Sequence, residues 1–381
     1  MRIGIDARFI GPEGTGLGVY TQNLVENLQD LDKKNQYIVF LNQSNWELLR
    51  LKSENFTKAL ADVPWYSLSE QIKMPAIFAK ENLDLLHIPH FNVPIMYGGK
   101  FVVTIHDLIH KHFKKSATTR NPALFKLKRL AFAKVLNQAI KNSSKIITPS
   151  NFVKEDIVKN YKVEESKIIV TYEAAESEYF YQPSTVNCQP STNYLLYVGN
   201  AYPHKNLNRM LDAIRLLTLN SKLLALSEVE GSTLKLILVC PRDVFAKRLE
   251  QEIKSRNLQK NVELKGYLQA TDLKALFQMA RAYVFPSLSE GFGIPALNAM
   301  AAGVPVVCSQ IPTFKEVYAG AALYFDPNNP ADIAKKINQV LTSGKTRSKL
   351  IENGFKQAQK YSWHKMAQDT LKVYESVINT S

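Results

Sequence analysis

Short, nearly unbroken runs of Val, Ile and Leu alternate with helix-length amphipathic segments, in two blocks separated by a polar break. In the first block the runs are Arg2–Ala7, Tyr37–Leu41, Leu83–Pro89, Phe101–Asp107, Lys145–Ser150 and Lys167–Tyr172. In the second they are Tyr194–Gly199, Leu234–Cys240, Val262–Tyr267, Ala282–Ser287, Val304–Ser309 and Ala321–Asp326. A strand apolar at almost every position must be covered on both faces, and sheets covered in this way are parallel with helical crossovers. The break, Gln182–Asn193, is polar and contains proline, which marks a linker. A chain of 381 residues also exceeds one ordinary core. The expected fold is therefore α/β, with two Rossmann-like, doubly wound domains over 1–182 and 190–361, then a final amphipathic helix over 362–381. Ligands of such sheets bind at the carboxyl ends of the strands, so a cleft between the domains is the expected site. The stretch Leu219–Thr233 is long for a helix-to-strand connection and reads as a surface insertion.

Composition narrows the function classes. With 45% hydrophobic and 22% charged residues the chain is globular rather than disordered. Cys188, Cys240 and Cys308 lie far apart, with neither disulfide-framework nor metal-ligand spacing, which fits a reducing cytoplasm. No apolar run reaches the roughly 18 residues of a membrane span, and the chain opens directly on a strand pattern rather than a signal peptide. A net charge of +14 asks for an acidic partner. The densest basic stretch, Lys111–Lys145, contains no acid and includes an amphipathic helix pattern over Asn121–Ile140. Two readings stay open there: a core-packing helix with a solvated basic edge, or a patch that touches anionic lipid or a phosphorylated acceptor. Nucleic acid is not expected, because no recognition motif or aromatic interleaving accompanies the charge.

Four strand-end segments carry candidate chemistry. The most informative is Ser287–Pro305, SLSEGFGIPALNAMAAGVP. A strand feeds a glycine turn, Gly291-Phe292-Gly293, and then a helix opening around Pro295, which is an anion site by construction. Glu290 stands in its mouth; a carboxylate repels phosphate, so it is expected to accept hydrogen bonds from a hydroxylated group such as a sugar. The alternative is that Glu290 only offsets the helix dipole. Gly14, Gly16 and Gly18 follow the first strand and would admit close backbone approach, although a simple turn explains them equally well. His106 and Asp107 end the Phe101–Asp107 strand, as a site or as a satisfied turn. Lys205, after His204 and just before a helix, is placed to neutralise a diphosphate, or is a solvated turn lysine. No Ser-His-Asp or Cys-His arrangement, metal spacing or Walker loop is present in the sequence.

Taken in order, IGIDAR with TGLGVYTQNL, VVTIHDLI, ITPSNF, YVGNAYPHKNL, AYVFPSLSEGFGIPALNAMAAGVPVV and YSWHKMA resemble the retaining glycosyltransferases of family 4, and most of all bacterial mannosyltransferases that use GDP-mannose. The resemblance covers essentially the whole chain and implies the two-Rossmann-domain GT-B fold, with the C-terminal helix returning to the first domain. It implies that Glu290 binds hydroxyls of the transferred sugar, and that the amides of Gly291, Phe292 and Gly293 hold the donor. Lys205 would stabilise the departing diphosphate, with Arg8 as a second cation. Gly16 and Gly18 would let the first-domain loop close over the diphosphate, and His106 would contact the donor sugar. Two positions depart from the family pattern. Asn298 replaces a glutamate that usually binds the nucleotide ribose, and His204 replaces a basic residue before the lysine. Tyr172-Glu173-Ala174 also stands where Asn-Gly is frequent.

The implied reaction is transfer of a hexosyl group, mannosyl foremost, from a nucleoside diphosphate sugar to a glycan or polyprenyl-linked glycan, with neither cofactor nor metal. The implied location is the cytoplasm, with peripheral contact at the inner face of an anionic membrane through 111–145. A nucleotide-sugar epimerase, a glycogen-synthase relative and a non-catalytic sugar-nucleotide-binding module are the alternatives.

Overall fold

The computed structural model describes residues 1–112, 122–180, 193–219 and 234–378, with only the backbone described at 12, 112 and 122–128. Apart from their end residues, the expected linker and the Leu219–Thr233 insertion lie outside the described residues, as does Cys188. Residues 113–121 of the Lys111–Lys145 segment lie outside them too.

The chain divides into two compact units. The first contains a seven-stranded sheet of order β3-β2-β1-β4-β5-β6-β7. Its strands are β1 (Arg2–Asp6), β2 (Gln36–Leu41), β3 (Phe56–Leu60), β4 (Leu85–Ile88), β5 (Phe101–Thr104), β6 (Lys145–Thr148) and β7 (Ile168–Val170). The second contains a six-stranded sheet of order β10-β9-β8-β11-β12-β13. Its strands are β8 (Tyr194–Val198), β9 (Lys235–Val239), β10 (Val262–Lys265), β11 (Ala282–Phe285), β12 (Val306–Ser309) and β13 (Ala322–Phe325). Every pairing is parallel. The α/β, doubly wound expectation is therefore met in both units.

Each of the twelve apolar runs read from the sequence forms a strand, and β3 is the addition. Its sequence, FTKAL, buries only Phe56, because it is an edge strand paired with β2 alone. The apolar runs are otherwise explained by cover on both faces. All four residues of β4, β5, β11 and β12 are buried.

In the first unit Phe40, Val103, Ile140, Ile146 and Ile157 join one core under the helices Leu68–Ala79, Pro122–Asn142 and Asn151–Tyr161. From Arg129 onward, Pro122–Asn142 buries Val135, Leu136, Ala139 and Ile140 and leaves Arg129 and Lys134 in solvent. The last helix, Trp363–Ile378, belongs to this unit and packs on Thr15–Leu31. Its fully buried Tyr374 places its hydroxyl 2.6 Å from His87 Nδ1 on β4. Burying one aromatic side chain of this kind contributes roughly 1.5–3 kcal/mol.

Strand order reverses at β1/β4 in one sheet and at β8/β11 in the other. At such switch points the two connections leave in opposite directions and open a crevice beyond the carboxyl ends of the strands. The segments leaving β8 and β11 are those that carry Lys205 and Glu290.

Candidate active site

Two hydrogen bonds lock the segment after β8 to the segment after β11, and a third ties it to the segment after β13. Pro203–Lys205 forms a single 3-10 turn, and Asn206 ends it with φ +61°. Asparagine tolerates this left-handed conformation better than most residues. Asn206 Nδ2 then donates to the Pro286 carbonyl at 3.0 Å and the Pro327 carbonyl at 2.7 Å. Leu288 N–H donates to the His204 carbonyl at 2.7 Å.

Held in this way, Lys205 Nζ lies 2.6 Å from Glu290 Oε1 and 5.7 Å from the Phe285 ring centre. The two side chains are 13% and 10% exposed, so the pair is largely desolvated yet reachable. The neighbouring His204 is neutral at pH 7: burial, then the Lys205 charge, lowers its pKa to about 4. Lys205 is therefore the cation of this turn.

The glycine turn after Glu290 is fixed by a neighbouring helix, Pro312–Tyr318. Thr313 Oγ1 donates to the Glu290 carbonyl at 2.8 Å, and the Tyr318 hydroxyl donates to the Gly293 carbonyl at 2.7 Å. Gly293 has φ +104°, and a Cβ there would lie 2.0 Å from the Tyr318 hydroxyl, so only glycine fits. Gly293 caps the helix Ile294–Ala301, which carries proline in its first turn and is almost wholly buried. The positive end of this helix dipole, a lysine ammonium and a carboxylate thus share one strand-end site. Phe292 is buried with its ring edge-on to Tyr361, centroids 5.5 Å apart.

Asn298, on the same helix, faces a carboxylate from a distant segment. Its Nδ2 donates to Glu176 Oε1 at 3.0 Å, and Glu176 N–H donates to Asn298 Oδ1 at 3.0 Å. Burial raises the pKa of Glu176, against the hydrogen bond from Asn298.

In the first unit His106 is held by Glu173 Oε1 at 2.9 Å on Nδ1 and by the Pro89 carbonyl at 3.1 Å on Nε2. The glycines after β1 sit differently from the loop expected. Pro12–Gly14 is a 3-10 turn and the helix begins at Thr15, so Gly16 and Gly18 are inside its first turns. A Cβ at Gly18 would meet the Phe9 carbonyl at 2.7 Å and the Gly11 carbonyl at 2.8 Å, so its absence serves helix-to-loop packing. Gly16 has nothing within 4 Å of its Cβ position and leaves backbone approachable. Arg8 is not available to a diphosphate. It is 1% exposed, and its guanidinium is engaged by Asp6, Glu70 and the Val63 carbonyl.

Residues 183–357 match the family described as glycosyl transferases group 1, and residues 14–178 match glycosyltransferase family 4. The O-antigen chain mannosyltransferase RfbU of Salmonella typhimurium is 30% identical over 273 residues, 72% of this chain and 69% of that protein. The chain belongs to the family 4 glycosyltransferases. A second relative, O-antigen chain mannosyltransferase B of Escherichia coli, is 30% identical over 64% of this chain and 63% of its own length. The GT-B fold is shared with the sucrose-phosphate synthase of Thermosynechococcus elongatus, at TM-score 0.78 and 19% identity over the full length of both.

In this glycosyltransferase, Lys205, His204, Glu290, Gly291, Phe292, Gly293 and Asn298 are all in the second unit, whereas Gly16, Gly18 and His106 are in the first. Sequence reasoning did not single out Asn206, Thr313, Tyr318 or Glu176. Asn206, directly after Lys205, carries the one local signal, an asparagine between a turn and a helix start. The others act across long sequence separations. Among the described residues no cluster of three His, Cys, Asp or Glu side chains is arranged to hold a metal ion, and no helix is long and apolar enough to cross a membrane.

Proposed function

We propose that this glycosyltransferase moves a mannosyl group from GDP-mannose to a hydroxyl of a glycan or polyprenyl-linked glycan, with retention of configuration and without a metal ion. The observation that carries the reading is the 2.6 Å Lys205–Glu290 pair at the switch point of the second sheet. A buried ion pair is costly to desolvate and is weak evidence of a purely stabilising role. An incoming diphosphate draws Lys205 away from Glu290, and the released carboxylate accepts hydroxyls of the sugar. The Gly291–Gly293 turn and the helix behind it receive the rest of the donor. The mannosyl and GDP-mannose assignments are supported by the sequence resemblance and by the activity named for the two relatives.

The step is a front-face exchange. The bond from the anomeric carbon to the phosphate oxygen breaks, the bond to the acceptor oxygen forms on the same face, and the acceptor proton passes to the departing phosphate. In this reading the released Glu290 carboxylate is occupied by hydroxyls of the sugar, so it serves as a sugar ligand rather than a nucleophile. Catalysis then comes from positioning and from stabilising charge on the leaving diphosphate. His106 is the proposed contact for a sugar hydroxyl, and the backbone at Gly16 is approachable. Exposed Arg129 and Lys134 fit contact of the 111–145 segment with an anionic membrane.

Glu176 accounts for the unusual Asn298. Its carboxylate, held by the Asn298 amide, supplies the charged acceptor for the nucleotide ribose that residue 298 itself lacks. Glu176→Ala is expected to weaken GDP binding about tenfold, the worth of one charge-assisted hydrogen bond, measured by calorimetry. Unchanged affinity would remove Glu176 from the nucleotide site.

The test of the proposal is nucleoside diphosphate release from GDP-mannose, UDP-glucose and UDP-N-acetylglucosamine, with glycan acceptors supplied. Acceptor-dependent GDP release is expected to exceed release from either UDP-sugar. Release from a UDP-sugar alone would overturn the donor assignment, and binding without turnover on any acceptor would leave a sugar-nucleotide-binding module.

A further inference from the structure

Two histidines of the first unit sit in opposite surroundings. His87 is fully buried, with Nδ1 2.6 Å from the Tyr374 hydroxyl and Nε2 2.8 Å from Thr104 Oγ1. Hydroxyls donate as readily as they accept, so a ring with one N–H is satisfied there. Burial lowers its pKa to about 3, and it is neutral.

His106, two residues beyond β5, meets two oxygens of another kind. Nδ1 faces Glu173 Oε1 at 2.9 Å and Nε2 faces the Pro89 carbonyl at 3.1 Å. A backbone carbonyl only accepts, and a carboxylate accepts unless it carries a proton itself. An imidazole with a single N–H would aim a nitrogen lone pair at one of these oxygens. Glu173 is 5% exposed, and a buried carboxylate keeps its charge only when it is paired or hydrogen-bonded. The ring is also fixed from a third side. Tyr20 stands edge-on to it with centroids 4.7 Å apart, and the Tyr20 hydroxyl lies 3.1 Å from Thr104 Oγ1.

We propose that Glu173 is a positioning residue that holds His106 with both ring nitrogens protonated, so that Nε2–H is offered as a charged donor to a substrate oxygen replacing the Pro89 carbonyl. The Pro89 bond is the longer of the two and the one without an ionic partner, so it is the one exchanged. The ligand rests on the sugar-nucleotide reading above; the proton count of His106 does not.

The experiment is nitrogen-15 NMR of the full chain with labelled histidine, at neutral pH and without donor. The His106 signals are assigned by their loss in His106→Gln. Both ring nitrogens are expected to give protonated signals in the wild type, and one is expected to become unprotonated in Glu173→Gln. An unprotonated nitrogen on His106 in the wild type overturns the proposal, whether or not the variant folds. Glycosyl transfer is expected to fall roughly tenfold in Glu173→Gln, the difference between a charge-assisted and a neutral hydrogen bond. The double variant Glu173→Gln/His106→Gln is expected to be no slower than His106→Gln alone, because Glu173 acts through His106. Additive losses overturn that role. Absence of transfer by the wild type from every sugar nucleotide would overturn the functional reading while leaving the NMR result standing.

Discussion

Lys205→Ala is expected to lower glycosyl transfer by roughly 10²–10³-fold, the loss seen when one preorganised group facing developing charge is removed. The leaving group is a diphosphate, and the neighbouring His204 offers no substitute, since it is neutral with its pKa lowered to about 4. Arg8 offers none either, being engaged inside the first unit by Asp6 and Glu70. Substitution of Lys205 also leaves the largely buried Glu290 carboxylate without its cation. Breaking a buried pair from one side costs about 3 kcal/mol or more, so a lower Tm accompanies the kinetic loss. Initial rates taken well below that Tm, with folding verified by circular dichroism, separate the two effects. Near-normal turnover by a folded Lys205→Ala protein would remove Lys205 from the leaving-group site.

Glu290→Gln is expected to reduce transfer from GDP-mannose by roughly 10–100-fold. Glutamine keeps the shape and one acceptor oxygen, but hydroxyl bonds to a charged acceptor are worth about 1.5–3 kcal/mol against about 1 kcal/mol for neutral ones. The turn itself should persist, because it is held through the Glu290 and Gly293 carbonyls by Thr313 and Tyr318 rather than through the carboxylate. Rates measured over a range of GDP-mannose concentrations check this. An unchanged kcat/KM would leave Glu290 as a structural partner of Lys205 alone.

The fold was legible because parallel strands covered on both faces announce themselves as unbroken apolar runs. β3 escaped because an edge strand with Lys58 in its centre carries no such run. Lys205 and Glu290 were legible because each follows a strong strand signal. Their direct pairing was not, since it depends on Asn206 tying its own segment to Pro286 and Pro327. Glu173 and Glu176 lay deeper still. They lie beyond β7 beside a short 3-10 turn, where no strong strand or helix pattern marks them, and their partners are 67 and 122 residues away in the chain. Gly18 is the converse case: the glycine was visible, but its close packing against the Phe9 and Gly11 carbonyls is tertiary. Arg8 likewise read as an available cation until Glu70, 62 residues away, proved to hold it.

The division of labour between Lys205 and Glu290 is tested most directly by calorimetric titration of GDP and of GDP-mannose into the wild type and Glu290→Gln. If Lys205 takes the diphosphate and Glu290 the sugar, the substitution weakens GDP-mannose. It leaves GDP at least as tight, because Lys205 no longer has to leave a carboxylate to meet the phosphates. Equal weakening of both ligands, or of neither, would contradict the assignment.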